Sequence, residues 1–91
     1  MLSQDDIQER LKELNGWTLK EEKIVKILEF PSFIEAIDFV NKIAKISEIQ
    51  NHHPIITINW KTVKISLKSF DVNSITERDF SLASAIEEQI K

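Results

Sequence analysis

Three hydroxyl residues stand three positions ahead of a carboxylate at the head of an apolar run: Ser3 before Asp6, Ser32 before Glu35 and Thr76 before Asp79. At that spacing the hydroxyl accepts from an N–H of the first helical turn while the carboxylate reaches back to the capping residue's own N–H. Each pair therefore marks a helix start. Leu2 with Ile7 and Ile75 with Phe80 flank the first and third starts as hydrophobic staples. Three starts imply three helices, and what lies between them must be strand or turn.

The first helix is expected over about 4–14, with Ile7, Leu11 and Leu14 on one face and Gly16, the only glycine, giving a left-handed end after Asn15. The second is expected over about 33–50. Its stripe reads Phe33, Ala36, Ile37, Val40, Ile43 and Ala44, while Ile34, Phe39 and Ile46 lie outside it, so two sides of this helix are expected to be covered. The third runs from Thr76 through Ala83, Ile86 and Ile90. Between them, "WTLK" and "IVKILEF" around the polar "EEK" read as one hairpin, and "IITINW" with "TVKISLKSF" as another. In the latter, Val63, Ile65 and Leu67 alternate with Lys64, Ser66 and Lys68, the period of a half-buried strand. The order α-β-β-α-β-β-α predicts an α+β fold, a four-stranded antiparallel sheet with the helices packed on one face.

With 91 residues, one domain spanning 1–91 is expected, and so short a chain buries only about 60–65% of its unfolded surface, which favours self-association. Cysteine is absent, removing disulfides, thiolate catalysis and cysteine-held metals together. A net charge of −3 offers no broad basic footprint, so direct nucleic-acid binding is not expected. No apolar run approaches the roughly 18 residues of a membrane span, and the opening "MLSQDDIQER" has no basic segment followed by an apolar one. A cytoplasmic location is the expectation. One glycine leaves no glycine-rich phosphate loop, and no serine sits in a G-x-S-x-G turn.

Both histidines of the chain, His52 and His53, stand together before Pro54 in "SEIQNHHPIITINW". Proline disfavours helix in the residue ahead of it, so His53 is expected to be extended while His52 still ends the second helix, and the two rings diverge. Glu48, four residues before His52, is placed to orient its imidazole, and an exposed corner at a helix C-terminus favours the protonated ring by about 0.3–1 kcal/mol. On spacing alone three uses stay open: capping of carbonyls in contact with solvent, general acid–base chemistry, and metal binding. The first is the commonest, and the last is disfavoured because adjacent histidines rarely converge on one ion.

The wider pattern is more specific. Glu48, His52, His53 and Pro54, then Trp60 six residues on, then Asp79 within "TERDFSLASAIEE", resemble the signature of the pterin-4a-carbinolamine dehydratase family over nearly the whole chain. One position departs: the family has His or Trp where this chain has Phe70. The resemblance implies a cytoplasmic hydro-lyase without cofactor or metal, which dehydrates 4a-hydroxytetrahydropterin to quinonoid dihydropterin in tetrahydrobiopterin recycling. It implies that His52 acts on the departing hydroxyl, that His53 holds and polarises the pterin, and that Glu48 orients His52. Asn51, Pro54, Ser69, Phe70 and Asp71 would line the substrate pocket, with Trp60 as a wall or a ligand contact. Asp79 is either a site residue or only the acidic half of its helix cap.

The resemblance further implies a homo-oligomer, a dimer or a homotetramer formed as a dimer of dimers, and the second apolar side of the long helix, Ile34, Phe39 and Ile46, is independently expected as its helical surface. Two other readings accompany it: a protein-binding dimerisation cofactor, as animal members are for a homeodomain transcription factor, and a pterin-related enzyme with another substrate, for instance near molybdopterin. Phe70 falls on the even, polar side of "TVKISLKSF", where an aromatic ring would either pack at the strand end or against a neighbouring subunit, or lie beside the flat pterin that the resemblance implies.

Overall fold

A computed structural model describes residues 2–91. It contains α1 (Gln4–Leu11), β1 (Thr18–Lys20), β2 (Lys23–Glu29), α2 (Phe33–Gln50), β3 (Ile55–Asn59), β4 (Thr62–Leu67) and α3 (Glu77–Ile90), in the expected order. All pairings are antiparallel and the sheet order is β1-β2-β4-β3. Because β4 pairs with both β2 and β3, those two strands run parallel, which a hairpin cannot connect. Helix α2 makes that crossover.

The register sets the faces. Ile24 opposite Leu67 and Leu28 opposite Val63 put one set of side chains on the helical side, where Ile24, Val63, Ile65 and Leu67 are fully buried. They meet Ala36, Phe39 and Ile43 of α2, Phe80, Leu82, Ala83 and Ile86 of α3, and Ile7 and Leu11 of α1. Burying each large side chain is worth about 1.5–3 kcal/mol. The opposite face mixes Lys64 and Thr57 with Ile27 and Ile55, both of which are exposed.

α1 is shorter than its apolar spacing suggests. After Leu11 the N–H groups of Lys12, Glu13 and Leu14 bond three residues back, to Glu9, Arg10 and Leu11, at 3.3, 3.1 and 3.1 Å. This tighter turn still packs Leu14 on the core. Gly16 does take the left-handed conformation, φ +81°, and a Cβ there would come within 3.3 Å of the Lys26 side chain. Lys26, buried on β2, donates to the Asn15 carbonyl at 2.6 Å and to Glu87 of α3 at 2.5 Å, and the Trp17 indole donates to the same carboxylate at 2.7 Å. Three segments distant in sequence are tied there by one carboxylate.

The caps at Ser3 and Thr76 form reciprocally. At the first, hydrogen bonding by Ser3 holds the Asp6 carboxyl below its ordinary value. The Ser32 cap is half formed: Glu35 N–H donates to the Ser32 hydroxyl at 3.1 Å, but the Glu35 carboxylate accepts that hydroxyl at 2.9 Å instead of the Ser32 N–H. The apolar face of α2 also differs from the stripe read in sequence. Ala36, Phe39, Ile43 and Ser47 face the core, whereas Phe33, Ile34 and Ala44 are exposed. Phe39, expected on an outer surface with Ile34 and Ile46, stacks at a tilt on Phe30 with ring centroids 5.1 Å apart. Ile46 is half-buried against the core. A stripe from Ala36 through 39, 43 and 47 has the same helical period as one from Phe33, and contact with the sheet selects between them.

Candidate active site

α2 ends through Asn51, whose φ of +52° is left-handed. Asn51 N–H donates to the Glu48 carbonyl at 3.3 Å and His52 N–H to the Ser47 carbonyl at 3.1 Å, the paired bonds of a Schellman end. This reversal takes His52 off the helical path. The i,i+4 pairing of Glu48 with His52 therefore does not form, since that spacing holds only while both residues are helical. Nor is His52 an exposed corner: its residual exposure is 8%.

His52 instead turns inward to α3. Its Nε2 lies 2.6 Å from Oδ1 of Asp79, a carboxylate with no solvent exposure. Oδ2 of Asp79 accepts the Thr76 N–H at 2.9 Å and the Ser69 hydroxyl at 2.9 Å, and the Ser69 and Thr76 hydroxyls are 2.7 Å apart. The acidic half of the third cap and the partner of the histidine are thus one residue. An ionised carboxylate only accepts, so Nε2 of His52 carries its proton there and Nδ1 is left as the exchangeable nitrogen. Among the described residues Nδ1 has no protein hydrogen-bond partner, and it is not fully buried. The arrangement is an imidazole held from behind by a buried carboxylate with its other nitrogen free to exchange a proton.

His53 diverges from His52 as expected and is largely open, its Nε2 paired with Glu48 Oε2. Pro54 follows, half-buried, and leads into β3. Ser69 is fully buried and belongs to the Asp79 network. β4 stops at Leu67, so the strand alternation does not extend to Phe70, which instead opens the turn closed by Asn73 N–H to the Phe70 carbonyl at 3.3 Å. Its ring is 54% exposed. Asp71, next in that turn, accepts from Arg78 at 2.7 Å, and this bond holds its carboxyl below the ordinary value.

Trp60 is not brought to this corner within the chain. It sits at the tip of the β3–β4 hairpin with φ +53°, roughly 20 Å along the strand from Pro54, 68% exposed and capped by the Lys61 ammonium 4.2 Å from a ring centroid. Thr76 is a member of the network that motif reading leaves out. The available signal was its capping box, which already placed it beside Asp79.

Comparison with known proteins gives the family. The family model described as pterin 4 alpha carbinolamine dehydratase matches residues 1–89. A protein of Roseiflexus sp. (strain RS-1), provisionally named pterin-4-alpha-carbinolamine dehydratase, is 44% identical over 96% of this chain and 94% of its own length. One of Nostoc punctiforme with the same provisional name is 43% identical over all of this chain and 97% of its own. Among solved structures, a transcriptional coactivator/pterin dehydratase from Brucella melitensis superposes with a TM-score of 0.91 at 27% identity, covering 96% of this chain and 95% of that one. A pterin dehydratase-like protein identified as a RuBisCO assembly factor shares the fold at a TM-score of 0.64 and 22% identity, over 79% and 83% of the two chains. The chain belongs to the pterin-4-alpha-carbinolamine dehydratase family.

Proposed function

We propose that this protein is a hydro-lyase that dehydrates 4a-hydroxytetrahydropterin to quinonoid dihydropterin, with the His52–Asp79 pair as its acid–base centre. The observation that carries the reading is the Nε2 contact of His52 with a fully buried Asp79, which leaves Nδ1 without a protein partner among the described residues. The reaction breaks the C4a–O bond and forms the N5–C4a double bond. It consumes one proton at the hydroxyl and releases one from N5. Those atoms are neighbours, so one imidazole serves both: protonated His52 gives its Nδ1 proton to the hydroxyl as water departs, and the neutral ring then takes the proton from N5. Asp79 keeps the ring oriented through both steps and stabilises its charged form. His53, oriented by Glu48, holds and polarises the pterin. Asn51, Pro54, Phe70 and Asp71 border the substrate, with Phe70 as a flat wall. The recycling of tetrahydrobiopterin is the metabolic setting this chemistry fits.

The direct test is turnover of synthetic carbinolamine by the purified protein and by His52→Ala. Loss of the general acid lowers the rate by about 100-fold to 10,000-fold. A variant that keeps its circular dichroism spectrum and turns over at the wild-type rate overturns the assignment. Capture of helical partners without turnover in the wild type would favour a binding protein instead.

A further inference from the structure

A cleft of about 210 Å³ lies between the start of α1, the β1–β2 turn and the 73–75 segment, and it shares no residue with the histidine corner. Lys68 lines it. That lysine is only 8% exposed, yet among the described residues its ammonium has no hydrogen-bond or ion-pair partner. Among the described residues no fully buried side-chain nitrogen lacks a partner, so the ammonium keeps some contact with solvent. The stem is thus buried while the charge keeps contact with water and has no protein partner, so an anionic group could meet it there.

The cleft is also lined by Gln4 and Asn73, whose side-chain amides can donate hydrogen bonds, and by Ser74, whose hydroxyl already donates to the Ile75 carbonyl at 3.4 Å. Its apolar wall is formed by Leu2, Ile7, Leu19 and Ile75. Glu22 also borders it, an exposed carboxylate on a turn whose two central residues, Glu21 and Glu22, both have positive φ, +52° and +61°. Two non-glycine residues in that region make a costly hairpin turn, which holds a negative charge at the rim. That charge disfavours a dianion more than a monoanion. We propose that the cleft binds a small monocarboxylate carried on an apolar body, with Lys68 as its charge partner. The carboxylate would take the Lys68 ammonium and the neighbouring donors, and the body would lie on Ile7, Leu19 and Ile75.

The test is an amide-resolved NMR titration of the full chain with benzoate, with neutral benzamide and with inorganic phosphate. Benzoate should shift the signals of Gln4, Lys68, Asn73 and Ser74 saturably, and benzamide should bind about tenfold or more weakly, the loss of one charge-assisted contact. Phosphate should be the weaker anion. In Lys68→Met the benzoate response should fall by a similar factor. Should that variant not fold, Glu22→Gln serves, since removing the rim charge must tighten benzoate and admit phosphate. Equal responses to benzoate and benzamide, or a Glu22→Gln variant with unchanged anion binding, would reduce Lys68 to a lysine reaching for solvent and overturn the proposal. Each readout is binding, so it stands or falls apart from dehydratase turnover.

Discussion

Asp79 shows one side chain carrying two tasks. As the acidic half of a capping box it accepts the Thr76 N–H, and through its other oxygen it holds His52. The tasks separate by mutation. Thr76→Ala should cost about 0.5–2 kcal/mol of stability, as lost caps do, and leave most of the turnover. Asp79→Asn should lower stability as well and reduce turnover by tenfold or more, since an amide carries no negative charge to stabilise the imidazolium and offers one acceptor oxygen where the carboxylate uses two. Thermal melts set beside carbinolamine rates decide this; equal rate losses in both variants would assign the effect to the cap alone. Phe70 is the other residue with a separable role. It cannot exchange a proton, so in the proposed mechanism His52 carries both transfers, and the two stereoisomers at carbon 4a, whose hydroxyls leave from opposite ring faces, should react at unequal rates. Phe70→His should raise the rate of the slower isomer. Equal rates for both isomers in the wild type would remove the basis of this account.

At the scale of the element, the end of α2 is what makes a site out of two adjacent histidines. The left-handed turn at Asn51 sends His52 into the interior toward Asp79 and leaves His53 beside Glu48 at the surface. Asn51→Gly accepts that conformation readily and should leave the melting temperature and the His52–Asp79 contact intact. Asn51→Val, β-branched and strained at positive φ, should cost about 1–2 kcal/mol and lower kcat through displacement of His52. An NMR spectrum in which the His52 ring signals stay at their wild-type shifts in the valine variant would contradict this. Glu48 shows why spacing misled: it is four residues from His52 along the chain, but the helix that would align them ends between them.

For the whole molecule, the open question is self-association. β3 is an edge strand with Ile55 and Ile58 partly exposed, and Ile27 stands uncovered on the outer sheet face. We therefore place the proposed homo-oligomer contact at this edge and not at Phe39, whose ring fills the core. Light scattering should give a multiple of 10.6 kDa at micromolar concentration. Ile58→Lys should shift the mass toward the monomer, because a charge on an edge strand opposes strand pairing. A monomeric wild type would refute the contact. The three helix starts, with full capping boxes at Ser3 and Thr76, the burial of Val63, Ile65 and Leu67 and the element order were legible without coordinates, because each depends on residues within a turn or a strand of one another. The family signature likewise named Asp79 alongside the histidines. What spacing could not tell was which α2 stripe meets the sheet, that Leu14 lies in a tight turn, and that Glu48 pairs with His53 while Asp79 takes His52. These depend on how elements far apart in the chain pack, and periodicity within one element does not encode which of two equivalent faces its neighbours will cover.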